Sequence, residues 1–213
     1  MNKYIVEFIG TFFLVFVIGN VVLGGEAIGP LGAAAIGATL IVMIFAGGHI
    51  SGAHYNPAVT LAVTLRGKCD MVDVVPYILS QCLAGVAGAF VAMQVRGGAA
   101  AEMLDLSSAQ TSVLIVECLM TFALCYVILN VATAEGTAGN SFYGLAIGLT
   151  VFAGAVGVGG ISGGAFNPAV ALALCVMKKA AWPDIWMYLV PQLVAGALAA
   201  VVFRITNGED EED

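Results

Sequence analysis

Two stretches decide the fold: "ISGAHYNPAV" at 50–59 and "ISGGAFNPAV" at 161–170. Each is polar and glycine-rich, and each lies between strongly apolar segments. Asn-Pro reads as a helix start, because Asn caps and Pro suits the first helical position, where its missing N–H costs nothing. The apolar runs that begin there are "NPAVTLAVTLR" (56–66) and "NPAVALALCVM" (167–177), eleven residues each. A helix of that length reaches about 16 Å, half of a ~30 Å hydrocarbon core. Each is therefore expected to be a re-entrant half-helix that starts near the middle of a membrane.

The surrounding composition supports a membrane. Of the 213 residues, 61% are hydrophobic and 10% charged, and the mean hydropathy is +1.01, far from a soluble domain. Six stretches are long enough to span, at roughly 4–24, 31–48, 72–95, 112–134, 142–160 and 183–204. The first carries Glu7 and no clear small-residue cleavage site, so it reads as a retained span and not as a signal peptide. The breaks between spans are too short for a soluble domain. One channel domain is expected over 1–208, with repeats at about 1–100 and 110–208, followed by an acidic tail, "EDEED", at 209–213. That tail holds five of the fourteen acids, so the net charge of −7 overstates the acidity of the rest. Seven Lys and Arg residues give no basic patch for nucleic acid.

The chain repeats itself. "VEFIGTFFLVFVI" (6–18) matches "VECLMTFALCYVI" (116–128) at 7 of 13 positions, and 47–65 matches 158–176 at 10 of 19. Tyr77, Gln81, Ala84 and Gly85 align with Tyr188, Gln192, Ala195 and Gly196. Each copy is span, span, half-helix, span. Three full spans is an odd number, so the second copy enters from the opposite side and the repeat is inverted. The two half-helix N-termini then meet near the midplane. Facing lipid, their open N–H groups would cost several kcal/mol each, as an approximate figure. Lining a water-filled path removes that cost. Two positive dipole ends aimed at one point also repel cations. Asn56 and Asn167 cap through the side-chain oxygen, which leaves each amide N–H₂ for a passing oxygen.

Twin Asn-Pro-Ala motifs, Asn56-Pro57-Ala58 and Asn167-Pro168-Ala169, in a six-span inverted repeat resemble the aquaporin (major intrinsic protein) family over nearly the whole chain. The resemblance implies an all-α membrane fold of six transmembrane helices and two half-helices. It implies that Glu7 and Glu117 are buried carboxylates bracing the re-entrant loops. It also implies a homotetramer with one pore per subunit, in the cell membrane, with both termini cytoplasmic. Lys3, Arg66, Lys68 and Arg204 would then lie inside, and Arg96, Lys178 and Lys179 outside.

The chain departs from that family at the second constriction. Counted from each Asn, the usual aromatic maps to Ile36, the His to Ala155, the small loop residue to Gly164 and the Arg to Val170. All four changes act alike: the ring is expected to be wide and apolar, without a fixed charge or side-chain donors. Ala171 stands where the glycerol-conducting branch has Asp. The expected function is a passive channel for water and small uncharged solutes such as ammonia, urea, hydrogen peroxide or neutral metalloid hydroxides. A water-selective pore is the alternative; a secondary transporter or a non-conducting structural protein stands behind both. A transporter needs intramembrane ion ligands, and Glu7 and Glu117 lie near span ends, away from the Asn-Pro pairs in sequence.

Other residues are expected to be structural. His54, two residues before Asn56, falls where the resemblance implies a pore-lining residue near the cytoplasmic mouth; it is expected to be a neutral wall residue, with a pH gate as the sharper alternative. His49 reads as a hydrogen-bonder within the loop. The small residues of "GLAIG" (144–148) and "AGVAGA" (84–89) allow close helix packing. Gln81, Gln192 and Asn130 read as interhelical hydrogen-bonders, and Trp182 and Trp186 as interfacial anchors. The five cysteines show no metal-ligand spacing; Cys69, beside Lys68 and Asp70, sits in a loop and is the reactive candidate. No nucleophile–base pair, metal cluster or phosphate loop occurs, so no enzyme, metal or cofactor is expected.

Overall fold

The computed structural model describes residues 1–25 and 31–208. The acidic tail and most of the first inter-span break lie outside the described residues. Six long helices form: α1 (Asn2–Gly24), α2 (Leu31–Ser51), α4 (Met71–Val95), α5 (Gln110–Thr133), α6 (Tyr143–Ser162) and α8 (Trp186–Thr206). Two short ones, α3 (Pro57–Leu65) and α7 (Pro168–Val176), hold nine residues each. At that length they cover about 14 Å and cannot cross a bilayer. The six long helices are apolar enough to span. Their outward positions carry large hydrophobic groups such as Phe13, Val42, Leu83, Leu119, Val156 and Val194, the surface that lipid requires.

Helix ends differ from the sequence expectation by a few residues. The largest extension is at α2, which runs to Ser51 and not to 48. This puts His49 in the last helical turn, exposed and with no hydrogen bond to its ring among the described residues, and not in the loop as a hydrogen-bonder. Trp182 lies in a 3-10 turn (Trp182–Asp184) just before α8, and Trp186 opens α8. Both are exposed.

Contacts at the helix ends fix the topology. On one face, Lys3 pairs with Asp73, so α1 and α4 start together. On the same face, Arg204 near the end of α8 donates to the Leu65 carbonyl at the end of α3. Tyr126 and Thr206 join α5 to α8 there. On the other face, Arg96 reaches Asn20, and the backbone N–H groups of Ala101 and Leu104 meet the Met177 and Lys179 carbonyls beyond α7. So α1 and α4 run one way, and α5 and α8 run the other. The repeat is inverted.

Packing crosses between the repeats. α7 lies on α4, and α3 lies on α8. The contact is so close that a Cβ on Gly85 would sit 2.7 Å from the Ala169 carbonyl oxygen, and one on Gly196 would sit 2.6 Å from that of Ala58. The obstacle is backbone, which has no rotamer to change. Overpacking of this kind costs about 1–3 kcal/mol. Gly85→Ala and Gly196→Ala are therefore each expected to lower the unfolding temperature of the detergent-solubilised protein. An unchanged temperature in both would mean that the half-helices slide freely on their neighbours.

Candidate functional site: a central cavity between the two half-helices

The loops before α3 and α7 share one backbone path. Gly52, Ala53 and Tyr55 have φ of 82°, 52° and 50°; Gly163, Gly164 and Phe166 have 84°, 65° and 49°. Glycine adopts this left-handed region without penalty, whereas Ala53, Tyr55 and Phe166 are strained there by about 1–2 kcal/mol each. Something must hold them.

Two carboxylates do so. Glu7 Oε1 accepts from Ser51 Oγ (2.7 Å) and the His54 N–H (2.9 Å), and Oε2 accepts from the Tyr55 N–H (2.6 Å) and Gln81 Nε2 (2.8 Å). Glu117 repeats the set with Ser162 Oγ (2.5 Å), the Ala165 N–H (3.1 Å), the Phe166 N–H (2.8 Å) and Gln192 Nε2 (2.8 Å). Both are fully buried. Four donors match the acceptor capacity of an ionised carboxylate. The sequence spacing placed these groups near span ends and away from the Asn-Pro pairs. Folding brings them directly under the loops, one residue short of each Asn. With every lone pair engaged, neither is an ion ligand.

Each Asn caps its own half-helix: Asn56 Oδ1 accepts from the Ala58 N–H and Asn167 Oδ1 from the Ala169 N–H, both at 2.9 Å. Each amide also reaches across. Asn56 Nδ2 donates to the Phe166 carbonyl (2.9 Å), and Asn167 Nδ2 to the Tyr55 carbonyl (2.8 Å). The sequence suggested that the whole N–H₂ group is available to a permeant. One hydrogen of each is instead spent in joining the loops, and one remains.

Both Asn residues line a central cavity of about 180 Å³. Ile36 from α2, Ala155 from α6, Gly164 from the second loop and Val170 from α7 line the same cavity. His54 lines it too, and also lines the wider opening beside Lys3, Lys68 and Asp73. Its ring is held by Thr60 Oγ1 (3.2 Å) and lies edge-on to Tyr77, with centroids 5.0 Å apart. Pro57, Ala58, Pro168 and Ala169 do not line the cavity; they form the buried first turns.

The structure adds partners that the sequence left without roles. Tyr77 donates to the Ser51 carbonyl (2.7 Å) and Tyr188 to the Ser162 carbonyl (2.5 Å). Their alignment across the repeat was the available signal. Gln81 of α4 also donates to Thr60 Oγ1 of α3 (3.0 Å); with the bonds to Glu7 of α1 and Glu117 of α5, both glutamines join helix to helix, as expected. Asn130 does both: its Nδ2 bonds the Tyr126 carbonyl of its own helix, and its Oδ1 accepts from Asn207 Nδ2 at the C-cap of α8 (3.3 Å). Asp73, which takes Lys3 and the Tyr4 hydroxyl (2.6 Å), had no signal beyond its charge. Cys69 is half-buried, and that burial raises its thiol above the ordinary range. Thiolate is then scarce at neutral pH, which weakens its candidacy as a reactive group.

The chain matches the family described as Major intrinsic protein over residues 1–203. It is 34% identical to "Glycerol uptake facilitator protein-like 6" of Lactiplantibacillus plantarum, covering 99% of this chain and 100% of that protein. It is 33% identical to "Aquaporin NIP1-1" of Zea mays, over 97% of this chain and 76% of that one. Against "Aquaporin Z" of Rhodopseudomonas palustris the identity is 30%, over 98% and 94%. The fold is also that of the aquaglyceroporin from Plasmodium falciparum, at a TM-score of 0.75 and 23% identity, covering 99% of this chain and 95% of that one. Six spans, two crossed half-helices and these matches agree: the chain is a member of the major intrinsic protein family, an integral membrane protein.

Proposed function

We propose that the chain is a passive channel for water and small uncharged solutes, and that the cavity between the half-helices is its pore. The observation that carries this reading is the meeting of two capped helix N-termini in one cavity. The remaining N–H of Asn56 and of Asn167 is a donor for a permeant oxygen. The two dipole ends oppose protons and metal cations at the same level. Relatives named as aquaporins and as a glycerol uptake facilitator support the class.

Ile36, Ala155, Gly164 and Val170 act in this reading as the selectivity ring. Aliphatic side chains and a glycine give it width without charge, so neutral molecules larger than water pass. His54 is a neutral wall residue below the Asn pair, fixed by Thr60 and Tyr77. Residues 1–208 work as one channel domain made of two inverted repeats, about 1–100 and 110–208. The protein sits in the cell membrane as a homotetramer with both termini cytoplasmic, as the family resemblance implies. Lys3, Arg66, Lys68 and Arg204 then face the cytoplasm.

Stopped-flow light scattering on proteoliposomes tests the reading. Shrinkage in sucrose is expected to exceed that of empty vesicles, and a small neutral osmolyte is expected to cause faster re-swelling. An internal pH dye is expected to show no added proton leak. Vesicles that behave as empty ones in every arm would overturn the channel assignment.

A further inference from the structure

Thr60, in the first turn of α3, has one hydroxyl hydrogen and three partners. Its Oγ1 donates to the Asn56 carbonyl (3.1 Å) and accepts from Gln81 Nε2 (3.0 Å). It also lies 3.2 Å from His54 Nδ1. The sense of the Gln81 contact is not free. Nε2 also meets Glu7 Oε2 (2.8 Å), and an ionised carboxylate only accepts, so the amide must turn its N–H₂ this way. Gln81 therefore takes one lone pair of Thr60, and the Asn56 carbonyl takes the hydrogen. One lone pair is left for His54. All three contacts are hydrogen bonds only when Nδ1 carries the ring's hydrogen. Thr60 and Gln81 are fully buried, so no solvent competes for these bonds.

The second repeat serves as an internal control. Ala165 stands at the position of His54 and Ala171 at that of Thr60, while Gln192 keeps the position of Gln81. There the glutamine amide bonds Glu117 alone among the described residues. So the hydroxyl is present in the half that carries the histidine and absent from the half that does not. A neutral imidazole has a single N–H. With Nδ1 holding it, Nε2 is a bare acceptor. No protein group bonds Nε2 among the described residues, and His54 lines both the central cavity and the wider opening below it.

We infer that Gln81 and Thr60 are positioning residues that hold His54 in its Nδ1–H tautomer, so that Nε2 meets the permeant as an acceptor and not as a donor. The tautomer follows from the bonds alone; its meaning for transport rests on the pore reading above. A water that accepts from the free N–H of Asn56 points its own hydrogens away from it. The next water toward His54 inherits that sense and arrives hydrogen first. A bare Nε2 receives it. An Nε2–H would set donors at both ends of the same short run, and one water between them would lose a bond.

The test is nitrogen NMR of the full chain in lipid bilayers with ¹⁵N-labelled histidine, at about pH 8, where an ordinary imidazole is neutral. The chain has two histidines, so His49→Gln leaves the His54 signals alone. Nδ1–H is expected to exceed Nε2–H roughly tenfold, the ratio that one buried hydrogen bond sustains. This arm needs no change near the pore. Thr60→Val keeps the side-chain shape and removes the acceptor; it is expected to erase that excess and to lower water flux into proteoliposomes severalfold. Thr60→Ser keeps the hydroxyl and is expected to restore both. A wild-type His54 with its hydrogen on Nε2 would overturn the tautomer. A tautomer lost in Thr60→Val with water flux unchanged would overturn its part in transport. Wild-type vesicles no faster than empty ones would overturn the pore reading and the role of the acceptor, while the spectrum still reports the tautomer.

Discussion

Val170→Arg is expected to keep water flux and to cut re-swelling in acetamide by about an order of magnitude, which corresponds to about 1.4 kcal/mol added to the barrier. Val170 is buried in the first turn of α7 and lines the cavity beside Gly164. A guanidinium built there enters a cavity that Gly163 and Gly164 also line, and their carbonyls are without a protein donor. Its planar fork has five N–H groups, so some remain for the permeant. The charge then stands in the passage, narrows it and gives water a fixed donor. Water, small and able to bond on every side, gains from this. A molecule with a methyl side loses both space and its apolar contact. The measurement is the pair of rates, shrinkage in sucrose and re-swelling in acetamide, on the same vesicles. Loss of both rates together would mean that the ring closes and does not select. No change in either would place the selective point elsewhere on the cavity.

Removing a brace is expected to have the larger effect on folding. Glu117→Ala withdraws the acceptor from four buried donors: the Ser162 hydroxyl, the Ala165 and Phe166 N–H groups and the Gln192 amide. Each buried donor left unpaired costs about 1–3 kcal/mol. The sum is comparable with the whole stability of a typical domain, about 5–15 kcal/mol. The strained Phe166 backbone also loses what holds it. Glu117→Gln keeps one good acceptor but turns an N–H₂ toward donors. The order of unfolding temperature in detergent is expected to be wild type, then Gln, then Ala, with the Ala variant failing to elute as a single folded species. Glu7 holds Ser51, His54, Tyr55 and Gln81 in the same way, so its variants are expected to follow the same order. An Ala variant that unfolds with the wild type would show that the loops are held by packing alone.

Much of this was legible in the chain. The Asn-Pro starts, the length of the runs behind them and the odd number of spans per copy led to half-helices and inversion by length and hydropathy alone. The family's constriction pattern, counted from each Asn, picked out Ile36, Ala155, Gly164 and Val170, and all four line one cavity. What stayed hidden were relations that sequence distance disguises. Glu7 accepts from the His54 N–H, 47 residues along the chain, and only the family resemblance, not the spacing, pointed to it. The end of α2 was misjudged because "GHIS" (48–51) reads as polar loop, while its backbone still had helical partners. The cross-bond from Asn56 to Phe166 was invisible, since an Asn side chain carries no mark of which of its hydrogens is free.

That cross-bond has a consequence for ancestry and assembly. Asn56 gives to the residue before Asn167, and Asn167 gives to the residue before Asn56. Each half holds one donor and one acceptor, and each is met by its counterpart in the other half. This is the self-complementary contact of a twofold homodimer, here written into one polypeptide. A single half would meet an equivalent partner only in a second copy inserted upside down. The fused chain fixes that opposed orientation by its odd span count, so it no longer depends on two copies inserting in opposite senses. Fusion also releases the halves from identity. One loop carries His54 and Tyr55 where the other carries Ala165 and Phe166, so a passage symmetric in its clasp is directional in its chemistry.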